Sequence, residues 1–186
     1  METIRLLAFA GSIRKESYNR KLILASRELA PDEMEIESFE LDEIPIYNMD
    51  LEPSFPPSVV DFKTKIKAAD GILIACPEHN FSFSGVLKNA IDWASRPPTE
   101  GVFENQPVIV QSASPSWTGG IRAQYQLRQV LSYFSMRQMY FPEVCVGSCR
   151  QKFDAEGRLT DEMAREQITK QLAAFREFIL ESKQVR

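Results

Sequence analysis

The chain has 186 residues, 44% apolar and 26% charged, the balance of an ordinary globular protein long enough to bury a sizeable core. Its 22 basic and 26 acidic side chains leave a formal charge of −4, which argues against non-specific binding to nucleic acid or an anionic membrane. The apolar run at residues 6–10 is too short for a spanning helix or the core of a leader, so a cytoplasmic location is expected.

Taken in chain order, short apolar runs alternate with helical periodicity. Residues 4–11, "IRLLAFAG", read as a strand buried on both faces. A helix follows at 19–29 and stops before Pro31. Residues 34–41 alternate polar and apolar, which places that strand nearer an edge. A helix over 59–69 follows the Pro56-Pro57 break, and "GILIAC" at 71–76 is a further buried strand. Next come a helix at 86–95, a strand at 107–113 and a long amphipathic helix at 120–134. A fifth strand is expected at 139–147, with Pro142 near its start or on an edge, and a last helix at 162–182. No repeat or linker interrupts the series, so residues 1–186 are expected to form one domain. Five successive βα units predict an open parallel sheet with helices on both faces, because right-handed crossovers leave few alternatives.

Ligands in such sheets bind at the carboxyl ends of the strands. The loop after the first strand, "GSIRKESYNRKL", has neither a GxGxxG nor a GxxxxGK[ST] pattern. It offers instead the hydroxyls of Ser12 and Ser17, the amide of Asn19 and the guanidinium of Arg14, beside the free N–H groups of a helix start. That set suits a terminal phosphate. The rival reading is that Ser17 or Asn19 only caps the helix. Glu40 and Asp42, after the second strand, read as solvated loop charges.

The loop after the third strand carries Pro77, Glu78, His79, Asn80, Phe81 and Ser82. Backbone groups there can read the edge of a flat heteroaromatic ring while His79 or Phe81 packs beside it. His79 is the only histidine and has no evident orienting partner, so a binding role is preferred to general-base catalysis. The third loop, "SASPSWTGG", has Ser114, Trp117 and the Gly119-Gly120 pair, which can bring N–H groups close to a ligand. On the helix after the second loop, Lys88, Asn89, Asp92 and Trp93 read as structural, with Trp93 buried or at an interface. Cys76, Cys145 and Cys149 form no CxxC pair, so neither a structural zinc site nor any other metal is expected, and they read as small hydrophobes in a reducing compartment.

"GSIRKESYNRKL", "PEHNFSFSGVLKNAIDWASR" and "GGIRAQYQLRQVL" together resemble the NAD(P)H-dependent FMN reductase family, in particular its bacterial chromate and quinone reductase branch. The resemblance covers nearly the whole chain. It implies an α/β, flavodoxin-like three-layer sandwich with a five-stranded parallel sheet in the order 2-1-3-4-5. It implies bound FMN, NADPH or NADH as electron donor, and quinones, free flavin, azo compounds or chromate as acceptors, served in alternation at one open face. Homodimers pairing into tetramers are implied as well. By matching positions, Ser12, Arg14, Ser17 and Asn19 hold the phosphate, with Tyr18 beside them. Pro77, Glu78, His79, Asn80, Phe81, Ser114, Gly119 and Gly120 border the flavin. Arg96, Tyr125 and Glu143 correspond to polar residues between subunits. The chain departs from the pattern at His79, where tyrosine is usual, at Ser84, where proline is usual, and at Pro115 and Trp117. A non-enzymatic flavodoxin-type electron carrier is the alternative; such carriers are usually far more acidic, and direct oxidation of nicotinamide separates the two.

Overall fold

In the structure, a computed structural model, residues 3–184 are described. The chain opens with β1 (Ile4–Ala10), α1 (Tyr18–Glu28) and β2 (Met34–Phe39). The next elements are α2 (Pro57–Ala68), β3 (Gly71–Ala75), and two short strands, β4 (Glu78–His79) and β5 (Ser82–Phe83). They lead to α3 (Gly85–Ala94), β6 (Pro107–Ala113), α4 (Ile121–Tyr133), β7 (Arg137–Gln138), β8 (Val144–Val146) and α5 (Glu162–Gln184).

The main sheet is parallel, in the order β2-β1-β3-β6, with β7 and β8 both pairing on the far side of β6. Every residue of β3 and β6 is buried, as expected of strands covered on both faces, whereas β2 alternates at its edge position. Alternate side chains divide into two cores. One packs Leu6, Ala8 and Leu73 against α1 and α5; the other packs Leu7, Phe9 and Ile72 against α2, α3 and α4. In the second core the Phe62 ring meets those of Phe9 and Phe39 at 5.1 and 4.9 Å. Phe9 and Phe62, both fully buried, contribute roughly 1.5–3 kcal/mol each.

Helix starts follow local chemistry. Ser17 caps α1, Pro57 occupies the first turn of α2, Ser84 caps α3, and α4 begins at Gly120 in the left-handed region. Two expectations need correction. Of the fifth strand expected at 139–147 only Val144–Val146 is strand, as β8; the two-residue β7 stands before it at Arg137–Gln138, and the two are separated by residues 139–143, where Pro142 has no N–H to give to a ladder. The stretch after β3 is not an open loop: β4 and β5 form an antiparallel hairpin pairing Glu78 with Phe83 and His79 with Ser82.

Candidate functional site

β1 leads to β2 on one side, while β3 leads to β6 on the other, so the connection order reverses between β1 and β3. Adjacent crossovers diverge there and leave a crevice outside the carboxyl ends of the strands. The loops after β1, β3 and β6 border it.

In the first loop Ser17 is buried and its Oγ accepts the Arg20 N–H at 3.5 Å, so its own proton stays free. The N–H groups of Tyr18 and Asn19, in the first turn of α1, meet no protein acceptor among the described residues. These are the orphan donors of a helix start. The Arg14 carbonyl accepts the Ser17 N–H at 3.0 Å. The Ser12 hydroxyl and the Arg14 guanidinium have no hydrogen-bonded protein partner among the described residues, and the guanidinium stands 6.0 Å from the Tyr18 ring. Tyr18 itself packs on Phe153 at 5.3 Å. Asn19 behaves differently from the phosphate ligand expected. Its carboxamide grips the backbone of Ala113 twice, accepting the Ala113 N–H and donating to the Ala113 carbonyl, both at 3.0 Å. It therefore fastens the start of α1 to the end of β6.

The hairpin leans on α4. Its two tip residues, Asn80 and Phe81, have φ of 50° and 69°. Both central positions of a type I′ hairpin turn need positive φ, which asparagine tolerates and phenylalanine resists. Phe81 is compensated by α4: its carbonyl accepts from Gln126 Nε2 at 2.8 Å, and its ring lies 4.4 Å from the Arg122 guanidinium. Arg122 also pairs with Glu78 at 3.2 Å, where the carboxylate side chain is 11% exposed. Glu78 thus turns its side chain towards α4, and its Oε2 is buried without a protein partner. His79 and Asn80 are exposed. Removing the cation as Arg122→Ala strands a half-paired buried carboxylate. The loss expected is about 1 kcal/mol, reduced from the fully buried case because Arg122 reaches solvent. Thermal unfolding of the Arg122→Ala and Arg122→Lys proteins checks this, with Lys keeping the ion pair and losing the stacking.

The third loop is sewn to the chain after β8. Ser114 N donates to the Val146 carbonyl, Ser148 N to that of Ser116, and Cys149 N to that of Ser114, at 3.0–3.1 Å. Gly119 and Gly120 have φ of 65° and 90°, and a Cβ on Gly119 would stand 2.7 Å from the Cys145 carbonyl carbon. The Trp117 side chain is exposed.

The remaining sequence-predicted residues sort by burial. Trp93 is fully buried and donates its indole N–H to the Pro45 carbonyl at 2.8 Å. Asn89 donates to the same carbonyl and accepts the Tyr47 N–H, and Lys88 pairs with Asp92 at 2.7 Å. Glu40 and Asp42 are not free loop charges, since Arg20 pairs with them at 2.6 and 3.9 Å. Arg96 is engaged within the chain, donating to the Tyr47 hydroxyl and facing Glu52 at 3.3 Å, while Tyr125 is exposed on α4 and Glu143 lies between β7 and β8. Burial pushes the Cys145 and Cys149 thiols up to about 11, and Cys76 higher still, so at neutral pH none supplies a thiolate nucleophile. No helix among the described residues is long and apolar enough to cross a membrane.

The crevice therefore offers unpaired N–H donors, two hydroxyl protons and one guanidinium at one end, and a rigid hairpin with exposed tip at the other. That donor set fits the phosphate of FMN, and the hairpin fits the edge of its ring. The model of the NADPH-dependent FMN reductase family matches residues 4–151. An NAD(P)H-dependent FMN reductase of Pseudomonas aeruginosa is 45% identical over 174 residues, covering 93% of this chain and 94% of that protein. An NADPH:quinone oxidoreductase of Arabidopsis thaliana is 40% identical, covering 95% and 92% of the two chains. Among solved structures, FerB, a flavoenzyme NAD(P)H:(acceptor) oxidoreductase from Paracoccus denitrificans, superposes with a TM-score of 0.90 at 32% identity, covering 97% of this chain and 99% of that one. The chain accordingly belongs to the NADPH-dependent FMN reductase family and is an FMN-dependent NAD(P)H oxidoreductase with a flavodoxin-like fold.

Proposed function

We propose that this enzyme is a quinone reductase that serves nicotinamide and acceptor in turn at the open face of the hairpin. The observation that carries the site assignment is the group of unpaired donors at the start of α1, facing the same crevice as the β4–β5 hairpin. Ser12, Arg14, Ser17 and the N–H groups of Tyr18 and Asn19 hold the phosphate. Pro77, Glu78, His79, Asn80 and Phe81 border the ring on one side through their backbone, and Ser114, Gly119 and Gly120 on the other. When bound, FMN supplies the two-electron chemistry, accepting hydride from the nicotinamide and passing electrons onward. The protein's part is to bind, orient and stabilise charge. N–H groups of the third loop lie at a helix start, where they favour negative charge. No described side chain is required to carry a proton: His79 is exposed, and its imidazole hydrogen-bonds to no other described residue.

Quinones are favoured as acceptors because the curated relatives include several quinone reductases, among them one of Escherichia coli K12 at 37% identity over 182 residues. Free flavin, azo dyes and chromate are further acceptors to be compared in the same assay. Steady-state rates with NADPH at several fixed quinone concentrations should give parallel double-reciprocal lines. Intersecting lines would require both substrates to be bound together and would sink the shared-face reading. His79→Tyr should keep its flavin and change the acceptor rates several-fold; loss of flavin from that variant would mean the hairpin does not border the ring.

We further infer that the enzyme works as a homodimer, with tetramers as dimer pairs. Supporting this are the exposed aromatics Tyr125, Tyr133, Tyr140 and Phe141, a residue class concentrated at interfaces, and a groove of about 690 Å³ lined in part by Tyr47, Lys88, Arg96 and Tyr133. Arg96, Tyr125 and Glu143 supply polar contacts between copies. A monomeric mass by light scattering would overturn the assembly, and an unchanged mass for Glu143→Gln would remove Glu143 from it. The free cysteines suit a reducing cytoplasm.

A further inference from the structure

The two halves of the crevice meet at one side chain. Ser84 follows β5 directly and is buried. Its Oγ accepts the Leu87 N–H at 3.1 Å, as a helix cap does, and donates its proton to the Gly11 carbonyl at 2.6 Å. Capping α3 needs only the first of these bonds. The second crosses from the end of the flavin hairpin to the loop after β1, and it closes on a crowded junction. A Cβ on Gly11 would stand 2.9 Å from the Ser84 hydroxyl, from Leu87 Cβ and from Pro77 Cδ.

The carbonyl of Gly11 and the N–H of Ser12 belong to one peptide plane. In a trans peptide the two point in opposite directions, and the plane turns as a unit. Holding the Gly11 oxygen against α3 therefore aims the Ser12 N–H away from α3. That N–H has no protein acceptor among the described residues, and it opens the loop that ends at the Ser17 cap. The Gly11 N–H is fixed too, by the Ala75 carbonyl at 2.9 Å, so the residue is held from both sides.

We propose that Ser84 is a positioning residue for the cofactor: by fixing the Gly11–Ser12 peptide it points the Ser12 N–H at the phosphate and sets the spacing between phosphate loop and hairpin. This rests on the FMN reading of the crevice. The role makes a demand that helix capping does not. Breaking the Ser84–Gly11 bond should weaken FMN, which carries the phosphate, far more than riboflavin, which lacks it.

The test is titration of apoprotein with FMN and with riboflavin, for wild type, Ser84→Ala, Ser84→Thr and Ser84→Cys, with apoprotein melting temperatures alongside. In Ser84→Ala the preference for FMN over riboflavin should fall about tenfold, as for a lost bond to a charged group, with riboflavin affinity changed less than about twofold. Ser84→Thr, which keeps a hydroxyl, should retain the preference. Ser84→Cys, a poor donor, should lose most of it, and it decides the matter if Ser84→Ala does not fold. Equal weakening of both ligands, or an unchanged preference in Ser84→Ala and Ser84→Cys, overturns the proposal and leaves Ser84 as a cap. A wild-type protein with no preference for FMN overturns the phosphate cradle itself, a separate failure.

Discussion

Asn19→Ala should be among the most damaging single substitutions in the crevice. Asn19 is buried, and both hydrogen-bonding groups of the Ala113 backbone depend on its carboxamide. Alanine leaves a buried N–H and a buried carbonyl without partners, a loss of about 3 kcal/mol. For a chain of this length that corresponds to a melting point lower by roughly 10 °C. The effect should reach the cofactor, because the same side chain fixes the start of α1 relative to the third loop. FMN affinity should fall by roughly tenfold or more, as when a charge-assisted contact is misplaced. Asn19→Asp should be intermediate in stability: its carboxylate accepts the Ala113 N–H but has no proton for the carbonyl. Thermal melts and FMN titration of the three proteins check the order. A melting point within about 2 °C of wild type for Asn19→Ala would mean that water replaces the carboxamide without loss.

Gly147→Ala is expected to act with similar force through sterics. A Cβ there would lie 2.2 Å from the Trp117 carbonyl oxygen and 2.8 Å from its carbon, and backbone cannot rotate aside as a side chain does. The third loop would have to lift from the 145–149 segment, straining the three backbone hydrogen bonds that hold Ser114 and Ser116 there. Overpacking of this kind costs about 1–3 kcal/mol. Displacing Ser114, Gly119 and Gly120 together should cost FMN affinity beyond the loss of stability. Gly85→Ala is the control for fold stability, since nothing stands within 4 Å of the methyl it adds. If Gly147→Ala melts and binds FMN like wild type, the third loop is not held where described.

Much of the fold is legible because its signals are local and repeated. Buried strands such as β3 read as continuous apolar runs, and α1 announces itself by a cap at Ser17 and a proline after its end. The hairpin escapes because it is built from two-residue strands and turns through Asn80-Phe81 rather than asparagine-glycine. The break between β7 and β8 is flagged by Pro142, yet the apolar residues around it mimic one continuous strand. In the site, residue types are legible and partners are not. Asn19 looks like any polar residue at a helix start, and its partner Ala113 is 94 residues away. Ser84 stands out in the sequence only as a departure from a usual proline, and its bond to Gly11 crosses 73 residues. Nothing in the sequence marks the role of Arg122, which in the structure braces the β4–β5 hairpin through Glu78 and Phe81. Chain-distant pairings of this kind follow from the strand order, which brings the three loops together.

The central claim is that FMN held by these three loops carries the reaction, with the phosphate seated at the start of α1. Anaerobic rapid mixing of FMN-loaded protein with NADPH, followed by a quinone, addresses it directly when wild type is run beside Ser17→Ala and Arg14→Ala. The account predicts that the flavin absorbance of wild type bleaches with NADPH and returns with quinone. It also predicts that the two variants retain less FMN, while the fraction that stays bound bleaches at a near-normal rate. Flavin that does not bleach, or variants that hold FMN as tightly as wild type, would contradict it.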